Sequence, residues 1–339
     1  MTILVTGGLG YLGSHACVSL LESGFNVVIL DNLSSGEKSA ISNIETIAGR
    51  RPALNVGDVR DRTVLAQVFE TYDIHAVLHF AGLKSPSESL VRPLEYFDCN
   101  VNGSITLLEE MNKHGIKTLV FSSSATVYGL PMEMPITESC PAESPINPYG
   151  KSKLMVEKIL ADLSTSDPDW RIACLRYFNP VSAHVSGLLG EDPVTTPGNL
   201  MPYVVRVASG RLSELTVFGD DYPTPDGTGI RDYIHVQDLA EGHVATLGYL
   251  AKSTGFSVFN LGTGRGISVL EMIREFERVT GKSIPYVVGP RRYGDVAECW
   301  ADPTKAAQLL GWKARLSVDA MCRDAWRWEL NCLQQSSRC

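Results

Sequence analysis

The chain has 339 residues, 44% hydrophobic and 20% charged. That balance excludes a disordered or fibrous chain and allows one large α/β domain with an appendage, or two domains sharing an interface. A formal net charge of −8 argues against a surface built to neutralise nucleic-acid phosphates, so any anionic ligand has to be held by locally placed basic groups. No apolar run approaches the roughly 20 residues needed to cross a bilayer. The eight cysteines contain no CxxC pair and Met1 to Gly10 does not resemble a signal peptide, so the expectation is a cytoplasmic protein with reduced thiols that engages neither nucleic acid nor membrane.

In chain order, short β-branched runs predict buried strands at Ile3 to Val5, Val27 to Leu30, Ala76 to Leu78, Thr118 to Phe121 and Ile172 to Leu175. Segments long enough for crossover helices separate them, at Tyr11 to Glu22, Arg62 to Thr71 and Pro93 to Asn112. This alternation predicts a doubly wound parallel sheet over residues 1–180. After Asn179-Pro180 the pattern loosens into Gly- and Pro-rich loops, Gly187 to Gly198 and Gly219 to Gly229, of a length more often found in binding loops. A helix over Val236 to Leu250 and a strand over Val258 to Leu261 then look like a return to the first sheet. The division expected is 1–180 and 181–339, a smaller interleaved α/β domain, with a segment near 235–262 rejoining the sheet. The tail from Gln334 to Cys339 is expected to fray.

Directly after the first predicted strand, Gly7, Gly10 and Gly13, with Tyr11 and Leu12 between the last two, form a GxxGxxG run that opens a helix. Such glycines let the backbone turn tightly against a pyrophosphate whose charge the helix N-terminus stabilises, as in a Rossmann domain. Alone the run also fits an ordinary Gly-rich turn; its place between strand and helix favours the dinucleotide reading. Asp31, 18 residues past Gly13 and followed by Asn32, can accept hydrogen bonds from both adenosine ribose hydroxyls and would repel a 2′-phosphate. NAD is favoured over NADP, although a plain turn residue would look the same. Asp58 and Val59, after the third strand, are placed to reach an adenine, and Phe80, Ala81, Gly82 and Lys84 end the fourth strand where this fold contacts cofactor.

Ser124 ends the fifth predicted strand at its carboxyl edge, where open α/β sheets bind ligands. Asn147-Pro148 then reads as the N-cap and first residue of a helix that puts Tyr149 and Lys153 one turn apart on one face. The same spacing fits an amphipathic helix whose Tyr packs and whose Lys is solvated. Chemistry separates the two: to act as a base at neutral pH, a phenol has to fall from a pKa of about 10 to about 7, roughly 4 kcal/mol. A lysine ammonium and the nicotinamide ring, each within about 4 to 6 Å, can supply this. On this reading Tyr149 is the general base and acid, Lys153 tunes it and binds the nicotinamide ribose, and Ser124 hydrogen-bonds the reacting hydroxyl.

The blocks GGLGYLGSH, LDNL, HFAGLKS, SSSATVYG, NPYGKSK, LRYFNPVSAH, NLMPY, GTGIRDYIHVQDLA and NLGTG closely resemble those of UDP-glucose 4-epimerases in the extended short-chain dehydrogenase/reductase family, over nearly the whole chain. The resemblance implies that hydride passes from sugar C4 to bound NAD, the keto sugar turns over, and hydride returns to its other face. It also implies that Phe178 closes over the nicotinamide and that Asn179, Asn199, Leu200 and Lys84 bind the UDP-sugar. By the same token Phe218 contacts the uridine, and Arg231, Arg292 and Asp295 hold diphosphate and ribose, a use that suits arginine forks. A homodimer through residues 93–112 and 148–163 is implied as well.

Two positions depart from the family pattern. Cys99-Asn100 stands where an Asn pair is common, which leaves the nicotinamide-side contact open. Cys299 aligns with a bulky Tyr that lies against the sugar in members restricted to glucose and galactose. Its small side chain leaves room for 2-acetamido sugars, unless loops fill the gap. Two other readings compete: a nucleotide-sugar 4,6-dehydratase, which needs an acid/base pair where this chain has Ala125-Thr126, and a catalytically dead dinucleotide-binding module, which would be expected to have lost Tyr149 or Lys153.

Overall fold

The structure is a computed structural model that describes residues 1–36, 38–131, 133–191, 198–292 and 294–336. The first half alternates strand and helix: β1 (Thr2–Thr6), α1 (Tyr11–Glu22), β2 (Asn26–Asp31), α2 (Ser39–Ala48), β3 (Ala53–Val56), α3 (Arg62–Thr71) and β4 (Ile74–His79). It continues with α4 (Pro86–Val91), α5 (Pro93–Phe97), a π-helical turn (Asp98–Asn102), α6 (Gly103–Lys113), β5 (Thr118–Ser124), a 3-10 turn (Ala125–Tyr128), α7 (Pro148–Ser166) and β6 (Arg171–Tyr177). Ile3, Leu4 and Val5 are wholly buried, as a strand covered by helices on both faces requires.

The second half brings β7 (Asn179–Val181), α8 (Leu200–Ala208), β8 (Leu215–Phe218), β9 (Ile230–Arg231), β10 (Tyr233–His235), α9 (Val236–Leu250) and β11 (Gly255–Leu261). Then come β12 (Ile267–Ser268), α10 (Val269–Thr280), β13 (Tyr286–Gly289), β14 (Glu298–Cys299), α11 (Thr304–Leu309) and α12 (Val318–Ser336). The main sheet has seven strands in the order β11-β6-β5-β4-β1-β2-β3, all parallel. It is a doubly wound Rossmann sheet whose strand order reverses beside β1, next to β4, and a crevice opens there at the carboxyl ends.

One apolar core lies under α1, α2 and α9 and another under α3, α6 and α7. A third core, built on Val204, Met272, Phe276 and Met321, holds α8, α10 and α12 together with β8. A fourth, small cluster joins Ala125, Val127, Leu154, Phe178 and Ala301, with Cys299 packed against it. It draws the end of β5, the helix α7 and the strand β14 to one place.

The segment 93–112, read from sequence as one crossover helix, is broken by the π-helical turn. The wider turn lets Asn100 reach inward, where its side chain pairs with both main-chain groups of Leu83, at 2.8 and 3.0 Å. Such turns recur at functional sites. The expected frayed tail is helical through Ser336, and residues 337–339 lie outside the described residues. So do residues 192–197 of the predicted loop from Gly187 to Gly198.

Candidate active site

Gly7 adopts a left-handed φ of +68°, and a Cβ there would sit 2.7 Å from the Ala81 amide, so the loop passes the end of β4 only without a side chain. Gly10 differs: the sole atom within 4 Å of a built Cβ is the Gly7 carbonyl oxygen at 3.4 Å. The space beyond it is open for a pyrophosphate. Gly10 gives α1 no side-chain cap, which leaves the first amides of the helix, at Tyr11, Leu12 and Gly13, to meet an anion. These features fit a bound dinucleotide.

Asp31 ends β2, buried, and is a turn residue as well as a ligand candidate. Its two oxygens accept the amides of Leu9 at 2.9 Å and Leu33 at 2.8 Å, and each keeps a lone pair for a ribose hydroxyl. Leu33 pays for this turn with a left-handed φ of +63°. Asp58 is already well engaged by its own neighbours. Its carboxylate accepts three bonds from Arg60, at 2.8 to 2.9 Å, and one from Asn32 at 2.9 Å, which fills its four lone-pair positions. Arg60 holds that carboxyl well below the usual range. An adenine amino group would have to displace one of these donors or use the neighbouring backbone at the buried Val59.

The catalytic candidates come together as their spacing predicts. Asn147 caps α7 by accepting the Gly150 amide at 2.8 Å, with Pro148 at the first turn. Lys153 is buried, donates to the Ser122 carbonyl at 2.8 Å and lies 4.9 Å over the Phe121 ring. The Ser124 oxygen accepts from the Thr126 amide at 3.2 Å and its hydroxyl at 2.9 Å. Its own proton is then left to point toward the neighbouring Tyr149 phenol, whose charged form Ser124 favours.

Burial pushes the Tyr149 phenol up, and Ser124 only partly opposes this. Burial pulls Lys153 down to about 8, against Cys99, Cys174 and Glu157, which raise it. The protein alone therefore does not poise Tyr149 as a base.

On the sugar side, Phe178 is buried in the small cluster beside Leu154. The Asn179 amide donates to the Asp232 carbonyl at 2.9 Å, and Leu200 opens α8 against the third core. Arg292 stacks 4.3 Å over Phe218 and reaches the Gly198 carbonyl at only 3.4 Å. Arg231 faces Asp295 at 3.8 Å. Cys299 lies in register with Arg231, and burial pushes its thiol up to about 11. Burial raises the Cys99 thiol too.

Phe80 closes the crevice wall 4.8 Å from the His243 ring, and Gly82 leaves the Lys153 ammonium 3.8 Å from where a Cβ would be. Several residues escaped the sequence reading. Glu191 accepts from Lys84 at 2.7 Å and from Asn199 at 3.3 Å. Buried Asp232 holds the amides of Thr263, Gly264 and Ala301 at 2.8 to 3.1 Å. Glu191 sits in a loop flagged by its glycines, but nothing local distinguishes it there from a solvated acid.

Residues 3–262 match the NAD dependent epimerase/dehydratase family. The chain is 54% identical to the UDP-glucose 4-epimerase of Bacillus subtilis (strain 168), over 97% of each. It superposes with a TM-score of 0.97 and 51% identity on a UDP-glucose 4-epimerase from Stenotrophomonas maltophila crystallised with NAD and formylated UDP-arabinopyranose, over 99% of both chains. Against the UDP-Glc/GlcNAc 4-epimerase of Campylobacter jejuni the TM-score is 0.85 and the identity 36%, over 98% of this chain and 99% of that one. The chain belongs to the NAD dependent epimerase/dehydratase family and, within it, to the UDP-glucose 4-epimerases.

Proposed function

We propose that the protein, holding NAD, interconverts UDP-glucose with UDP-galactose and UDP-N-acetylglucosamine with UDP-N-acetylgalactosamine. The observation that carries the reaction is the placement of Ser124 at the carboxyl end of β5, within electrostatic reach of the Tyr149 phenol at the start of α7, and followed by Ala125-Thr126 rather than by the acid/base pair a dehydratase needs. NAD, when bound, supplies the hydride acceptor and donor and a positive ring that favours a phenolate nearby. Tyr149 Oη takes the proton of the C4 hydroxyl and returns it, Ser124 Oγ holds the C4 oxygen, and Lys153 Nζ holds the nicotinamide ribose. Residues 1–180, with the segment near 235–262, form the dinucleotide half, with Gly10 and Asp31 as its principal contacts. Phe178, Asn179, Asn199, Leu200, Phe218, Arg231, Arg292 and Asp295 hold the UDP-sugar.

Cys299 supports the acetamido range: it packs on the cluster that contains Phe178 and presents a far smaller side chain than tyrosine would. A homodimer is part of the same reading. Leu90, Val91 and Leu94 on α4 and α5 are 49%, 82% and 82% exposed and Met155 on α7 is 46% exposed, an apolar patch of the kind interfaces cover. Among the described residues no helix is long and apolar enough to cross a membrane, and Cys17, Cys99, Cys140, Cys174, Cys299 and Cys322 form no disulfide, which favours a cytoplasmic setting.

The test is NMR of each of the four UDP-sugars after incubation with the NAD-loaded protein, where each sugar is expected to yield its C4 epimer. Unchanged acetamido sugars beside converting hexoses would remove the wider range, and an accumulating keto sugar would favour the dehydratase.

A further inference from the structure

We infer that Glu157 is a positioning residue for the reaction: its buried carboxylate ties the helix carrying Tyr149 and Lys153 to the strand ending in Ser124. The inference rests on the reading of Tyr149 and Ser124 as the reacting pair. Tyr149, Lys153 and Glu157 follow at four-residue steps and so share one face of α7, with Lys153 and Glu157 buried. Glu157 is 4% and Arg176 6% exposed. One Glu157 oxygen accepts the Ser123 hydroxyl at 2.5 Å and Arg176 Nε at 3.0 Å; the other accepts Arg176 Nη2 at 2.6 Å.

Ser123 adjoins Ser124 and lies in register with Arg176, the next pair in the ladder being Ser124 with Tyr177. A single carboxylate thus fixes helix, β5 and β6 at the level of the reacting groups. Arg176 carries the brace further. Its guanidinium lies 4.7 Å over the Tyr128 ring, Tyr128 donates to Asn260 at 2.6 Å, and Asn260 stands in register with Arg176 on β11. Tyr128 closes the 3-10 turn that begins after Ser124, so the brace grips the serine from both directions along the chain.

Stability does not account for this arrangement. A buried ion pair is often matched or bettered by apolar residues of similar volume, and Arg176 Nη1 is left without a partner among the described residues. The carboxylate adds direction, through one bond to β5 and two to β6 that define where α7 sits along the two strands. It also faces Lys153, together with Cys99 from the π-helical turn, Cys174 from β6 and His79 from β4.

The test uses the full NAD-loaded protein with the paired variant Glu157→Gln/Arg176→Met, which strands no buried charge, and with Ser123→Ala, which removes only the link to β5. The paired variant is expected to keep its NAD content and its KM within about threefold, to lose kcat on the order of 100-fold, and to show the alkaline limb of its pH–rate profile at lower pH. Ser123→Ala is expected to lose kcat about tenfold with KM unchanged, and it decides the matter if the paired variant does not accumulate folded. Wild-type kcat and alkaline limb in the folded variants would overturn the inference. Tyr149→Phe, run alongside, separates the failures: if it is inactive while the others are normal, only the role of Glu157 falls, and if it turns over fully, the underlying reading falls.

Discussion

Around Ser124 the side chains of Ser123, Lys153, Glu157 and Arg176 are buried and already paired, whereas around the rim Arg231 and Arg292 have distant partners across the site, 3.8 Å to Asp295 and 3.4 Å to the Gly198 carbonyl, beside one local bond from Arg231 to the Ile230 carbonyl at 2.8 Å. The contrast follows from how each region is built. The first lies between two faces of packed sheet and helix, where an unpaired group is costly and geometry is fixed before a ligand arrives. The second is assembled from two-residue strands and loops at the rim, where side chains keep bonding capacity for a phosphate. Changes in the first region should therefore act on kcat, and changes in the second on KM and on the choice of sugar.

The largest effect is expected from Tyr149→Phe. Removing the proton carrier should lower kcat on the order of 1,000-fold while KM holds, read from initial rates on UDP-galactose. Residual turnover near wild type would mean that another group moves the proton. Next is Arg292→Ala, expected to raise KM for UDP-glucose roughly 10- to 100-fold, the worth of one charged hydrogen bond to a phosphate, with kcat nearly unchanged. An equal fall in kcat would break the comparison, since the rim would then be shaping the transition state.

The local parts of this comparison were legible in the sequence and the long-range parts were not. Gly7, Gly10, Gly13, Asp31, Tyr149 and Lys153 reveal themselves because the turn, the cap and the helical spacing that position them lie within a few residues. Glu157 does not, because its partners Ser123 and Arg176 lie 34 and 19 residues away. On the helix alone it reads as one more solvated acid. Asp232 gathers Ala301 from 69 residues away and is equally silent. Asp58 shows the limit at short range: its place after a strand was legible, but not that Arg60, two residues on, folds back onto its carboxylate. The burial of Tyr149 was out of reach for a different reason, since spacing shows a neighbouring lysine but not the packing that pushes the phenol up.

A smaller effect separates the sugars. Cys299→Tyr should lower kcat/KM for UDP-N-acetylglucosamine about tenfold and leave UDP-glucose nearly unaffected, measured by competing the two substrates. Equal losses on both would show that the position packs the rim rather than sizing the pocket.

The smallest concerns stability. Burial lowers His15 and His79 to about 3 and His243 to about 4, all three in the dinucleotide half. Their folded pKa values lie below the unfolded value of about 6.5, so as pH falls the unfolded chain takes up protons first. Stability present above pH 6.5 is then lost, by somewhat under 1 kcal/mol for each histidine between pH 7 and pH 6. Denaturant titrations at the two pH values measure this, and identical midpoints would mean that these imidazoles protonate in the folded protein.

The central claim is that hydride leaves C4 and returns to the same sugar. UDP-glucose carrying deuterium at C4, incubated in ordinary water with the NAD-loaded protein, tests it most directly. UDP-galactose that retains the deuterium at C4 is the predicted product. Loss of the label to solvent would contradict the account, because a proton exchanged through a carbanion, rather than a hydride held within the site, would then be inverting the centre.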